Sequence, residues 1–205
     1  MSAKAWTRTA SVALLTAGLV GCGTQERTPL VVPVPQFNSS SPAGSAVAPA
    51  RIVGALPTGC GAIASAEEIS ESVGQAMTGA ARLVTGTADP NIGRTARVDC
   101  YYGLTDGQEL PDAPVRVGLA SYTDAKAATT RIDKAVSEER EAGSKVSDVQ
   151  VGPDKGTLLI GKKIATLVAT YQATTVVVIA QLSLVPANQA PSMLGKIADR
   201  ALSPR

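Results

Sequence analysis

The stretch TTVVVIAQLSL, residues 174–184, decides which architecture this sequence can adopt. Its β-branched residues favour a strand, and at its centre they are apolar at successive positions rather than at alternate ones. A strand that is apolar on both faces is covered on both sides or lies centrally in a sheet packed beneath helices. We therefore predict that residues 174–185 form the strongest strand of the domain.

Helix patterns and weaker strand patterns surround this segment. The clearest helix begins at a capping box formed by Ser65 and Glu68, and a buried stripe recurs at every fourth residue as far as Met77. Further helices begin at Asp124 and Pro191. The order α-β-β-α-β-β-β-β-α predicts an α+β domain, an antiparallel sheet with helices packed mainly on one face. The other strands are predicted at residues 97–104, 114–122, 145–151, 157–160 and 164–171.

The N-terminus is typical of a targeting segment. Lys4 and Arg8 precede an uncharged apolar run at residues 10–20, and Gly21 supplies the small residue that cleavage sites favour. The run is too short for a membrane span, which needs about 20 apolar residues. Residues 1–21 are therefore predicted to be a secretory signal peptide.

The residues Leu19-Val20-Gly21-Cys22 resemble the lipobox of bacterial lipoproteins. The resemblance implies that the chain is cut before Cys22, and that this cysteine carries diacylglycerol and palmitate as a membrane anchor. A composition rich in Ala, Val, Thr and Gly indicates an actinobacterium, where the anchor lies on the extracytoplasmic face of the cell membrane. The alternative is an ordinary signal peptide followed by a chance cysteine.

After Cys22 the composition divides the chain into a tether and one domain. Six prolines lie between Pro29 and Pro57 in a segment rich in Ser and Ala, which is typical of a disordered, semi-extended linker. Residues 22–57 are therefore predicted to be the lipidated cysteine and its tether. Residues 58–205 are sufficient for a single α+β extracytoplasmic domain with its own core.

Charge and residue usage exclude several classes of function. The signal peptide holds two of the 19 basic residues and none of the 17 acidic ones, so the mature chain is neutral. Neutrality argues against a nucleic-acid partner. The sequence has no histidine, and it lacks the spacing of phosphate loops and serine hydrolases. We therefore predict no catalytic residues, no metal and no cofactor.

The cysteines and tyrosines of the domain are its remaining candidate functional residues. Cys60 and Cys100 most economically form a disulfide in an exported chain. A redox or metal role is the competing interpretation, although CxxC spacing and histidine partners are missing. The tyrosines are predicted either to line a groove or to be half-buried structural residues of the strands. They are Tyr101, Tyr102, Tyr122 and Tyr171.

The order of motifs in the domain supports a second resemblance. Cys60 precedes a capped helix, Cys100-Tyr101-Tyr102 places the second cysteine beside an aromatic residue, and YTDAKAA at residues 122–128 opens a helix after a strand. VGPDKG at residues 151–156 then supplies a glycine-containing link. The domain thereby resembles the DUF3558-like and kinase-sensor-like modules of actinobacterial lipoproteins, although many relatives have tryptophan where Tyr101 stands. The resemblance implies extracytoplasmic binding or sensing without catalysis.

These observations together predict what the protein does. We expect a membrane-anchored, non-catalytic binding or accessory module of the cell envelope, whose partner is an envelope protein or a lipid ligand. The alternative is a carrier that holds a lipid or glycolipid in an apolar cavity. An enzyme is disfavoured because histidine and the common catalytic motifs are missing.

Overall fold

The structure is a computed structural model of the chain, and it describes residues 51–52 and 54–203. The predicted signal peptide, Cys22 and most of the predicted tether lie outside the described residues. The α-helices are α1 (Cys60–Ile63), α2 (Ala66–Val73), α3 (Ala125–Glu141) and α4 (Ala190–Leu202). The strands are β1 (Arg82–Gly86), β2 (Arg94–Tyr102), β3 (Val115–Tyr122), β4 (Lys145–Val151), β5 (Asp154–Ile160), β6 (Ile164–Tyr171) and β7 (Thr174–Gln181).

The strands of the described chain form one seven-stranded sheet in the order β1-β2-β3-β7-β6-β5-β4. Every neighbouring pair is antiparallel. β7 pairs with β3 on one side and with β6 on the other, so the strand that is apolar on both faces lies in the middle of the sheet. It ends at Gln181, four residues before the predicted end at residue 185, because the chain turns there. Helix α3 connects β3 to the far edge strand β4. The prediction of an α+β domain with an antiparallel sheet is confirmed.

Alternate residues of β7 show which helices cover each face of the sheet. Val176, Val178 and Ala180 are fully buried in the main core together with residues of α1, α2 and α4. Val177 and Ile179 lie on the opposite face, beneath α3. We call these two sides the core face and the cleft face. Three of the four α-helices in the described part of the chain therefore cover the core face, as the sequence predicts.

The first long helix, α2, begins as predicted but ends early. The N–H of Glu68 donates to Ser65 Oγ at 3.2 Å, and the N–H of Ser65 donates to Glu68 Oε2 at 2.8 Å, so the capping box is present. Gly74 ends the helix in the left-handed region, and Met77 therefore lies beyond it.

No helix within residues 54–203 is both long and apolar enough to cross a membrane.

Strand β1 is the one strand in the described part of the chain that the sequence pattern does not predict, and the short helix α1 is likewise not predicted. That pattern places residues 82–86 in a polar loop, whereas the structure pairs them with β2 at the edge of the sheet. All five of these residues are exposed or only partly buried. An edge strand of this kind lacks the clear apolar alternation by which strands are recognised.

Residues ahead of position 58, the predicted start of the domain, contribute to its core. Ile52 is buried in that core, and its N–H donates to the carbonyl of Leu202 at 2.8 Å. Arg51 donates to the carboxylate of Asp199 at 2.9 Å, and its guanidinium lies 5.7 Å from the centre of the Tyr171 ring. The last part of the predicted tether therefore packs against the C-terminal helix.

Tyr102 is completely buried on the core face of the sheet. Its hydroxyl donates to the carbonyl of Ala64 at 2.9 Å, in the segment that joins α1 to α2. Burial raises the pKa of this phenol, because the ionised form would lose its contact with water. The folded state therefore keeps the Tyr102 proton at pH values where an unfolded chain releases it.

We predict that the free energy of unfolding falls as the pH rises above about 10, the ordinary pKa of tyrosine. The unfolded chain gains stability by releasing a proton that the folded chain retains, at up to about 1.4 kcal/mol per pH unit. Tyr102→Phe should remove this contribution, and it should cost about 1 kcal/mol at pH 7 through the lost hydrogen bond. Urea unfolding of both proteins from pH 7 to 11 measures the two effects. If the free energy of unfolding of the two proteins depends on pH in the same way, the raised pKa of Tyr102 is contradicted.

Candidate functional site

A cleft of about 300 Å³ lies between α3 and the cleft face of the sheet, and we call it the α3 cleft. It exists because both layers carry small side chains where they face each other. Ala135 of α3 lies over strands whose residues there include Gly118, Ala120 and Thr175. Protein interiors are normally packed to high density, so small residues on both sides leave space that larger side chains would fill.

The floor of the α3 cleft is apolar. Val177 and Ile179 of β7 are only partly buried there, although Val176 and Val178 beside them are fully buried on the core face. The strand is therefore apolar on both faces. On the cleft face its neighbours Leu159 and Val168 are buried, whereas Val177 and Ile179 keep partial contact with solvent. The other apolar residues that line the cleft include Leu159, Ile164 and Val168 from the sheet and Ile132 from α3.

One wall of the α3 cleft is built from a buried carboxylate and two arginines. Asp99 on β2 has a side chain only 6% exposed. Arg97 donates to it through Nε at 2.6 Å and Nη2 at 3.2 Å, and Arg116 donates through Nε at 3.1 Å. The hydrogen bond to Asp99 raises the pKa of Arg97, so this guanidinium stays charged. The guanidinium of Arg116 also lies 5.7 Å from the centre of the Tyr101 ring.

Gly118 makes room for this ion-pair cluster. A Cβ atom at position 118 would lie 2.6 Å from Oδ1 of Asp99, closer than Cβ contacts in real proteins. Gly118 faces Asp99 directly across the β2–β3 pair. The missing side chain therefore lets the carboxylate lie over the neighbouring strand, where it meets Arg116.

Two further arginines line the α3 cleft. Nε of Arg94 is buried without a hydrogen-bond partner among the residues that the structure describes, and its Nη2 lies 3.9 Å from Asp89. Arg131 on α3 has no ion pair within the described part of the chain.

The acids of the rim have partners of their own: Glu138 lies 3.9 Å from Lys134, and Glu139 accepts from Ser144 at 2.8 Å.

The charge of the cleft lining is therefore positive. Its described lining contains four arginines, against Asp99, Glu138 and Glu139. Asp99 is shared between two of the arginines, and the two glutamates lie on the exposed surface of α3. The cleft thus offers guanidinium groups whose charge exceeds that of the carboxylates around them.

The strand register separates the charged and apolar parts of the cleft. Arg116 of β3 lies beside Ile179 of β7, which lies beside Thr166 of β6. Leu159 of β5 continues this row across the sheet. Four adjacent strands span about 14 Å, because neighbouring strands lie about 4.8 Å apart. The lining therefore changes from cationic to mainly apolar across the width of the cleft.

The four tyrosines do not line one groove. Tyr101 and Tyr102 are neighbours on β2 and so lie on opposite faces of the sheet. Tyr122 lines the α3 cleft, whereas Tyr171 packs against the main core.

Sequence reasoning missed Arg97, Asp99 and Arg116, although charged residues at alternate positions of a predicted strand were the available signal.

Cys60 and Cys100 are joined by a disulfide, the pairing that the sequence favours. Their Cα atoms are 5.6 Å apart, and both residues are buried in the main core, away from the α3 cleft. Within residues 51–52 and 54–203, no group of three or more Cys, Asp or Glu residues is arranged to hold a metal ion.

Comparison with known proteins does not assign this chain to a family, since no protein-family model and no curated protein matches it. The likeness to actinobacterial lipoproteins therefore rests on the sequence motifs alone. The function of the α3 cleft is accordingly inferred from its own shape and charge.

Proposed function

We propose that this protein is a non-catalytic binding module of the cell envelope, anchored through Cys22, and that the α3 cleft is its binding site. The observation that carries the proposal is an open cleft of about 300 Å³ with an apolar floor and a cationic wall. Ligand sites are typically concave and mostly apolar, with a few polar groups that fix the orientation of the ligand.

The chemistry of the cleft favours binding over catalysis. Arginine cannot give up its proton in proteins, so the guanidinium groups can hold an anion but cannot act as general bases. The buried acid, Asp99, is already held by Arg97 and Arg116. Histidine, the usual group for proton transfer near neutral pH, does not occur in the sequence.

A lipid carrier is the second candidate, and the apolar floor of the cleft favours it. The volume of the cleft argues against shelter for a whole multi-chain lipid, because about 300 Å³ is at the lower end of the range for drug-sized ligands. One small molecule, or one segment of a larger one, is the better fit. We therefore favour a binding module over a carrier.

Features outside the cleft support a position in the envelope. The motif that ends at Cys22 supports export and lipidation, and the disulfide between Cys60 and Cys100 suits an oxidising compartment. The neutral mature chain gives no reason to expect nucleic acid as a partner. A proline-rich tether would give the domain reach from the membrane surface.

The test of the binding site uses native mass spectrometry of residues 23–205 after incubation with an extract of small molecules and lipids from the envelope. We expect one bound species on the unmodified chain. Ala135→Trp should abolish this binding, because residue 135 lines the cleft and an indole would fill it. Ser137→Trp is the matched control, since residue 137 is exposed on the same helix. Equal binding by all three proteins, or no bound species, would contradict the proposal.

The anchor has its own test. Mass spectrometry of the protein extracted from membranes should find an acylated N-terminal fragment that begins at Cys22. Cys22→Ala should leave an uncleaved precursor or release the domain from the membrane, because two or three acyl chains hold a protein far more firmly than one. An unmodified Cys22, or a mature chain that begins elsewhere, is the result that would exclude the lipid anchor.

A further inference from the structure

We propose that the ligand of the α3 cleft is a small anionic amphiphile, with a carboxylate or phosphate at Arg97 and Arg116 and a single apolar chain across the floor. This inference rests on the proposed function of the cleft as the binding site. It adds the chemical class of the ligand, which the cleft specifies through the arrangement of its cationic and apolar residues.

The anionic group is inferred from the donors that Asp99 leaves unused. Each guanidinium carries five N–H donors, and Asp99 takes the Nε of Arg116 and the Nε and Nη2 of Arg97. In the described part of the chain, Nη1 of Arg97 and both Nη groups of Arg116 have no hydrogen-bond partner. The two side chains are 34% and 29% exposed, so a ligand can reach them.

The charge of this cluster also favours an anion. Two guanidinium groups share one carboxylate, which leaves the cluster with an excess positive charge. Arg131, which has no ion pair in the described part of the chain, adds to that excess from α3. A carboxylate or phosphate that accepts from two arginines forms charge-assisted hydrogen bonds, which are stronger than those between neutral groups.

The apolar chain is inferred from the residues that lie next to the arginines across the sheet. Ile179 lies directly beside Arg116 in the register, and Leu159 lies two strands farther on. Val177 of β7 and Val168 of β6 are also direct neighbours in the register, and they lie in the next row of residues on the cleft face. A ligand whose anionic group accepts hydrogen bonds from Arg116 would place its remaining atoms over Ile179 and Val177, which are partly exposed, with Ile132 of α3 on the other side.

Other ligand classes fit the cleft less well. A cationic ligand would be repelled, because the arginines of the lining outnumber its carboxylates. A neutral sugar would find Tyr122 as the one aromatic residue in the described lining, which is a poor stacking platform. A lipid with several chains exceeds the space that about 300 Å³ provides.

Isothermal titration calorimetry of residues 23–205 with defined probes tests the ligand class. Decanoate and decyl phosphate should both bind, and the tighter of the two identifies a carboxylate or a phosphate as the natural anion. Decyltrimethylammonium, with the same chain and the opposite charge, should not bind. Decanoate should bind about fourfold more tightly than nonanoate for its one additional methylene. The affinity should also fall as the salt concentration rises.

Variants test whether the binding occurs at the proposed groups. Arg116→Gln should weaken decanoate binding about tenfold or more, while Arg116→Lys should retain part of the affinity. Because Arg116 also holds Asp99, Ala135→Trp provides a second test that replaces no member of the ion-pair cluster, and it should abolish binding. Ser137→Trp should bind like the unmodified chain.

Three results would overturn the inference. They are failure of both anionic probes to bind, equal binding of decanoate and decyltrimethylammonium, and decanoate binding that survives Ala135→Trp. The proposed function would still stand if the envelope extract supplied a neutral or cationic molecule whose binding Ala135→Trp abolished. The two proposals can therefore fail separately.

Discussion

Replacing Cys60 and Cys100 together by alanine is expected to lower the free energy of unfolding by about 2–5 kcal/mol, a large part of the stability of a small domain. The disulfide joins residues 40 positions apart, and the loop that it closes contains α2 and β1. In the unfolded chain, this cross-link restricts the conformations that the loop can adopt. In the folded chain it fixes α1 against the C-terminal half of β2, where Cys100 is completely buried.

Urea unfolding of residues 23–205, followed by circular dichroism, measures this loss. The unmodified protein in a reducing agent provides a control that keeps both cysteine side chains in the core. It should also be destabilised, by a similar amount. A free energy of unfolding within about 0.5 kcal/mol of the oxidised protein would show that the disulfide does not hold the fold together.

Asp99→Ala is expected to cost about 3 kcal/mol of stability, because it leaves two arginines without the buried carboxylate that holds them. Asp99 accepts three hydrogen bonds from Arg97 and Arg116, and its side chain is 6% exposed. Both guanidinium groups keep partial contact with water, so we place the loss at the lower end of the range for a broken buried ion pair. Chemical unfolding at neutral pH measures the change.

Asp99→Asn provides the matched comparison, since it removes the charge but preserves the shape of the side chain. It should destabilise the protein less than Asp99→Ala. If the α3 cleft binds anions, Asp99→Asn should also tighten decanoate binding, because Arg97 and Arg116 no longer share their charge with a carboxylate. Loss of decanoate binding without loss of stability would contradict the role that we assign to Asp99.

The general architecture could be predicted from local patterns in the sequence. The segment at residues 174–184 is apolar on both faces, and the structure places its first eight residues in the middle of the sheet as β7. The capping box at Ser65 and the start of α3 after Asp124 depend on residues within one turn of each other. Such short-range signals can be recognised without knowledge of the tertiary structure.

The α3 cleft could not be predicted in the same way, because strand pairing assembles it. Asp99 meets Arg116 only through the β2–β3 register, and Arg116 meets Ile179 only through the β3–β7 register. The second of these pairs joins residues that are far apart in the chain. The space beneath α3 likewise depends on small residues from separate elements, such as Gly118 and Ala135, that no local pattern connects.

The tyrosines illustrate the same limit. A sequence that is poor in aromatic residues draws attention to Tyr101 and Tyr102 as a pair. Strand geometry sends one to the cleft face and the other to the core face. On the core face, the hydroxyl of Tyr102 donates to the carbonyl of Ala64. On the cleft face, Tyr101 lies beside Arg116. Residue type alone left two interpretations open, a groove or half-buried structural residues. The alternation of the strand does not allow a groove lined by both residues.

The most direct test of the binding site is methyl NMR of residues 23–205 during titration with decanoate, since β7 supplies its own control. Val177 and Ile179 line the α3 cleft, whereas Val176 and Val178 are buried on the core face of the same strand. We predict that the methyl signals of Val177 and Ile179 shift in proportion to bound decanoate, while those of Val176 and Val178 change little. Shifts confined to Val176 and Val178, or no shift at any of the four residues, would contradict the assignment of the α3 cleft as the binding site.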